Sequence, residues 1–218
     1  MTEIACFADE KAGCLGEDGG LYDAEKARRV VCVLVKQLGE KIDRVRDCAA
    51  LILHSILRPA SNKGYSAVPH LPDRQLLEAV FLNADGSWAA GSASDWGSST
   101  GTFPRLIRLI DVETYIRPVL AGVVISVGGI TESLVKQSWG AFLSHMQFSA
   151  ADGGKLALRV CLAIEALLVE NAGNDRVLIP LFKTLNLLLT SSSFDTVQPP
   201  DSPLPVRFVE VLPPDPRP

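Results

Sequence analysis

The sequence predicts an all-α fold: a HEAT/armadillo-like α-solenoid of stacked helix hairpins. Three observations predict it. Apolar residues recur at spacings of three and four through most of the 218 residues. Strand signals are absent. Two stretches that begin with an Asp at a turn, at Asp43 and Asp175, lie 132 residues apart. That is three steps of about 44, inside the ~40–47-residue period of HEAT-type repeats. A hairpin cannot cover its own apolar faces, whereas stacked neighbours can. A plain helical bundle is the alternative that periodicity leaves open.

The elements follow in order. Residues 1–22 are rich in Gly and acidic side chains and read as a flexible lead-in. Asp23 is placed to cap a helix over 24–38, with the stripe Ala27, Val30, Val31, Leu34, Val35 and Leu38, stopped at Gly39. After a very short turn, Asp43 can cap a second helix with the stripe Val45, Ala49, Ile52, Leu53 and Ile56, ended by Pro59. A turn this short folds the two helices into a hairpin. Residues 60–72 read as a loop and 73–81 as a short helix. Residues 85–102 are rich in Gly and Ser and read as a mobile insert carrying Trp88 and Trp96. A helical pattern returns over 103–110. Residues 114–130 are apolar nearly all round and rich in β-branched side chains, which would also suit a buried strand. Length, the lack of a partner strand and Pro118, tolerated in a first helical turn, favour a helix. Further helices follow over 131–146, 155–171 and 176–190. The last is the cleanest amphipath, with Val177, Leu178, Leu181, Phe182, Leu185, Leu188 and Leu189 on its apolar side. Residues 195–218 hold 8 of the 14 prolines, so they read as an extended, Pro-rich tail. The predicted organisation is lead-in 1–22, helical-repeat domain 23–194 and tail 195–218.

Composition bounds the function. Hydrophobic residues make up 47% and charged residues 21%, with mean hydropathy +0.21. A disordered chain would need the reverse. The net charge is −4 and the pI about 5.4. No basic excess exists to release counterions from phosphates, so nucleic acid is not an expected partner. The longest apolar stretch, 119–130, is short of the ~20 residues that cross a bilayer, so no membrane span is expected. The first residues, Met1-Thr2-Glu3-Ile4, are acidic where a signal peptide would be basic. The five cysteines form no C-x-x-C pair and no zinc spacing, which fits a reduced cytoplasmic protein with free thiols.

No motif carries chemistry of its own. His54 lies in a helix near an apolar stripe, His70 between prolines and His145 at a helix end, none beside an obvious nucleophile. Neither a P-loop nor a G-x-G-x-x-G pattern occurs, so no nucleotide, cofactor or metal is expected. The expectation is a binding scaffold and not an enzyme; a pocket that brought one of the histidines onto a carboxylate would favour an enzyme. Surface candidates for protein binding are Arg44 and Arg46 at one turn, Asn174 and Arg176 at another, and the aromatics Trp88 and Trp96. The competing readings are structural: arginines at such turns brace neighbouring hairpins, and the tryptophans pack locally.

Several segments carry a resemblance. Residues 40–46 (Glu-Lys-Ile-Asp-Arg-Val-Arg) before an apolar helix, and 68–72 (Val-Pro-His-Leu-Pro) before a short Leu-rich helix, are similar to the tubulin-folding cofactor D family. So are Phe103-Pro104-Arg105-Leu106-Ile107, Thr114-Tyr115, the run Leu-Ala-Gly-Val-Val-Ile-Ser-Val-Gly-Gly-Ile-Thr-Glu-Ser at 120–133, and residues 174–185, closing at Phe194-Asp195. They come in the family's order and cover roughly residues 24–195. Family members are far longer, so the resemblance is to the C-terminal region, and the Pro-rich end departs from the helical pattern. The resemblance implies a HEAT/armadillo-like solenoid that captures β-tubulin. It implies partners in tubulin cofactors E and C and an Arf-like small GTPase, during assembly and disassembly of the αβ-tubulin dimer. It also implies stimulation of GTP hydrolysis by tubulin within that complex, in the cytoplasm and at the microtubule cytoskeleton. An adaptor scaffold of another pathway is the alternative.

Overall fold

The computed structural model describes residues 24–57, 71–83, 96–127, 132–148 and 154–191. The lead-in 1–22, most of the 85–102 insert including Trp88, and the Pro-rich tail lie outside the described residues. Among those described, eight α-helices and one 3₁₀ segment make up the fold, and no strand is formed. They are α1 (Ala24–Leu38), α2 (Asp43–Leu57), α3 (Arg74–Phe81), α4 (Ser99–Leu106), a 3₁₀ turn (Ile107–Asp111), α5 (Glu113–Val127), α6 (Glu132–Phe148), α7 (Lys155–Glu170) and α8 (Asp175–Thr190).

The helices stack as hairpins, and the architecture is all-α, consistent with a solenoid. α1 pairs with α2, α5 with α6 and α7 with α8, and the main packing runs from α1 through α5 to α7 and α8. α5 is the middle of the stack, which is why Tyr115, Val119, Leu120 and Val123 are all fully buried. A helix apolar all round needs neighbours on every side. Asp43 and Asp175 both stand at the start of the second helix of a hairpin, the position the repeat spacing predicts.

α5 settles the choice between helix and strand for the β-branched run, and it uses its proline in an unexpected way. Pro118 sits six residues into the helix, past the first turn. Lacking an N–H, it cannot bond the carbonyl four residues back, that of Thr114. The Cys32 thiol on α1 reaches that carbonyl at 3.8 Å. The seam between α1 and α5 is closed by glycine. A Cβ on Gly122 would lie 2.5 Å from the Lys36 carbonyl oxygen, and one on Gly39 would lie 2.6 Å from the Gly122 backbone. Gly39 is therefore required by close approach; its backbone is not left-handed, unlike that of Gly173 in the α7–α8 turn (φ 79°). The Ser126 hydroxyl donates to the Gly39 carbonyl across the same seam.

Two sequence expectations are corrected. The helix predicted over 103–110 begins at Ser99, inside the segment expected to be a mobile insert, and tightens to 3₁₀ from Ile107. The amides of Gly101 and Thr102 both bond the Ser98 carbonyl, so part of the Gly/Ser-rich composition is a helix start. On α8, Phe182 and Leu189, expected inward, are 37% and 41% exposed, while Leu181, Thr184, Leu185 and Leu188 are buried.

Candidate interaction surface

The six residues singled out from the sequence do not form one site. Arg46 is 3% exposed. Its guanidinium donates to the Glu40 carbonyl at 2.7 Å and to the Gly97 carbonyl, and lies 5.9 Å from the centre of the Phe103 ring. Burial pulls its pKa below the ordinary arginine value, while Asp43, Asp47 and Glu40 push it back up. Arg46 thus clamps the α1–α2 turn to the segment that enters α4; as a surface contact for a partner it is corrected. Trp96 is corrected likewise. It is fully buried, tilted against Phe81 with ring centroids 5.1 Å apart, and its carbonyl accepts the Thr102 hydroxyl at 2.7 Å.

Arg44, Asn174 and Arg176 remain on the surface. Arg44 and Arg176 each follow the first residue of their helix, Asp43 and Asp175. Neither guanidinium enters the ion pairs formed among the described residues. Those pairs join Arg28 to Glu25, Arg74 to Glu78, Arg117 to Glu170, His145 to Asp111 and Arg159 to Glu113. Their charge is therefore open to an acidic partner, worth little in stability where they stand but useful for steering an encounter.

One groove of about 470 Å³ opens between α4 and α6, lined by Ser99, Thr100, Gln137, Gly140, Ser144 and His145 among others. At its edge His145 Nε2 lies 3.0 Å from Asp111 Oδ1. A histidine and a carboxylate do meet here. The Ser99 hydroxyl, however, donates to Gln137 Oε1 and not to the imidazole, so the pair is not extended to a nucleophile. Arg159 on α7 donates to the Asp111 carbonyl at 3.0 Å, which makes this corner a joint between α6, α7 and the start of α5. His54 is half-buried in α2, and His70 lies outside the described residues. No group of three or more His, Cys, Asp or Glu among the described residues could hold a metal. Cys32 is partly buried, Cys48 exposed and Cys161 buried. No described helix is long and apolar enough to cross a membrane.

What sequence reasoning missed is an apolar outer face. Ile179 (56% exposed), Phe182 and Leu189 line the side of α8 turned away from the core, with Arg176 and Lys183 beside them. The signal was present: α8 carries apolar residues over more of its circumference than one buried stripe can use.

Comparison with known proteins resolves which resemblance matters. The family described as tubulin folding cofactor D C terminal matches residues 28–213. The chain belongs to that family. Tubulin-specific chaperone D of Dictyostelium discoideum is 23% identical over 176 residues, covering 80% of this chain and 11% of that protein. The chain therefore spans about a tenth of the length of this cofactor D relative. No solved structure matches it. The family match runs 18 residues past Asp195, where the resemblance read from the residues closes, so most of the Pro-rich stretch belongs to the cofactor D pattern.

Proposed function

We propose that this chain acts as a C-terminal binding segment of a tubulin-folding cofactor, gripping β-tubulin or a co-chaperone while the αβ-tubulin dimer is assembled or taken apart. The observation that carries this reading is the cofactor D family match across residues 28–213. The partners proposed are β-tubulin, tubulin cofactors E and C and an Arf-like small GTPase. Stimulation of GTP hydrolysis by tubulin is proposed as a property of the assembled complex. The segment works by binding and performs no chemistry of its own, in the cytoplasm and at the microtubule cytoskeleton. Support for a binding role comes from the helix-hairpin stack, whose broad surfaces suit many shallow contacts. The exposed cations Arg44 and Arg176 and the turn residue Asn174 supply the polar part of the contact.

Retention of purified β-tubulin, cofactors E and C and the GTPase on the immobilised chain tests the reading. We expect at least one to be retained, and Arg44→Glu with Arg176→Glu to weaken retention about tenfold without changing the unfolding midpoint. Retention of none of the four sinks the proposal. Unchanged retention by the charge-reversed chain moves the contact away from these two turns.

A further inference from the structure

The outer face of α1 carries positive charge that no described residue answers. Lys26, Arg29, Val30, Val33 and Lys36 follow at steps of three, one, three and three residues, which sets them on one arc of the helix. That arc points away from the buried stripe Ala27, Val31, Leu34, Val35 and Leu38. All five residues are exposed, Val33 to 58% and Val30 to 38%. The other sides of the helix meet α2 and α5. From Lys26 to Gly39 the sequence has four cations and no Asp or Glu. Arg28, off the face, pairs with Glu25; Lys26, Arg29 and Lys36 enter no ion pair among the described residues. The imbalance extends to the helical body. Among the described residues 16 Lys and Arg stand against 12 Asp and Glu, a net +4, although the full chain carries 21 against 25, a net −4.

We propose that the outer face of α1 docks an acidic amphipathic segment of a partner protein, with carboxylates on Lys26, Arg29 and Lys36 and apolar side chains on Val30 and Val33. From Lys26 to Lys36 the face runs about 15 Å, nearly three helical turns. An apolar strip inside a charged rim is the pattern of a protein contact. Lys26 and Arg29 are like charges three residues apart, a spacing that weakens a helix, so an acidic partner relieves a repulsion as well as adding an attraction. Two valines are a shallow anchor for a lipid surface, which takes Trp, Phe or Leu. The face also offers no aromatic ring on which a nucleic-acid base could stack. The proposal goes beyond the tubulin reading. It stands on a different helix from Arg44 and Arg176, it names the partner by its chemistry, and its test needs no tubulin.

Fluorescence anisotropy of a labelled acidic amphipathic peptide, glutamates around a stripe of leucines, titrated with the full chain tests it. Binding is expected at low salt and is expected to weaken as salt is added. Lys26→Glu with Lys36→Glu is expected to weaken binding about tenfold, and Val30→Ser with Val33→Ser about fivefold. Arg108→Glu with Lys136→Glu, an equal change of net charge elsewhere on the surface, is expected to leave it within about twofold. All these positions are exposed, so the unfolding midpoint should hold in every variant. No binding, equal loss in the two charge-reversed chains, or equal binding of a peptide of glutamates alone overturns the proposal. So does tighter binding, through the same α1 residues, of anionic lipid vesicles or duplex DNA. Tubulin retention and peptide binding fail independently, because only the first depends on the identity of the partner.

Discussion

The seam between α1 and α5 and the outer face of α8 are both apolar helix surfaces, and they are finished in opposite ways. At the seam, glycine lets backbone meet backbone, Ser126 ties the Gly39 carbonyl, and Cys32 occupies the carbonyl that Pro118 leaves open. Both of these carbonyls are met from within the stack. On α8 the apolar stripe stands uncovered by any described helix. The difference separates what holds the fold from what is left for another chain segment or protein. Surface whose shape is already complementary stabilises; surface without a complement recruits.

The sharpest way to break that contrast is Trp96→Ala. Truncating a fully buried ring that packs on Phe81 is expected to cost about 3–5 kcal/mol of stability, measured by chemical denaturation. A cost under about 1 kcal/mol would return Trp96 to the interface candidates. Arg46→Ala comes next, at about 2–3 kcal/mol, because the Glu40 and Gly97 carbonyls lose a buried donor. Retention of tubulin or its cofactors by the remaining folded fraction should not change; a specific loss of retention at normal stability would restore Arg46 to the binding surface.

Gly122→Ala tests the seam itself. The new Cβ would press on the Lys36 carbonyl, and an overpacking cost of about 1–3 kcal/mol is expected in the unfolding midpoint. The corresponding change at Gly140, whose Cβ would meet nothing within 4 Å, should be neutral or slightly stabilising. Equal effects at the two glycines would mean that helix propensity, and not close approach, sets the choice.

The smallest effect is on pH dependence. Burial first, then the Asp73 charge, pushes the Tyr115 phenol above its ordinary value of 10.0. The folded state thus keeps Tyr115 neutral where the unfolded chain ionises. Its contribution is fully present below pH about 10 and is lost as pH rises beyond that. Tyr115→Phe should flatten the alkaline limb of a stability–pH curve and leave its slope below pH 9 unchanged. An unaltered alkaline limb would show that Tyr115 does not titrate on unfolding.

Much of the fold was legible because helical period survives in a single sequence. The α1 stripe Ala27, Val31, Leu34, Val35 and Leu38 is buried as its spacing requires. The β-branched run, as far as Val127, resolved to a helix because a strand there has no partner. Boundaries were less legible. Ser98 and its neighbours look like low-complexity linker, since residues that start helices also fill loops. The binding candidates divided for a similar reason. Arg44 and Arg46 lie two residues apart on α2, so a helix turns them to different sides: Arg44 faces outward, and Arg46 enters the stack.

The sequence alone determined the helices, their hairpin pairing and the family, because each rests on local periodicity or on residues in a fixed order. Tertiary structure alone decided which arginine became a clamp, which tryptophan went inside and which side of α8 stayed bare. Those outcomes depend on what a neighbouring helix presents across a few ångströms, and a linear pattern does not encode that distance.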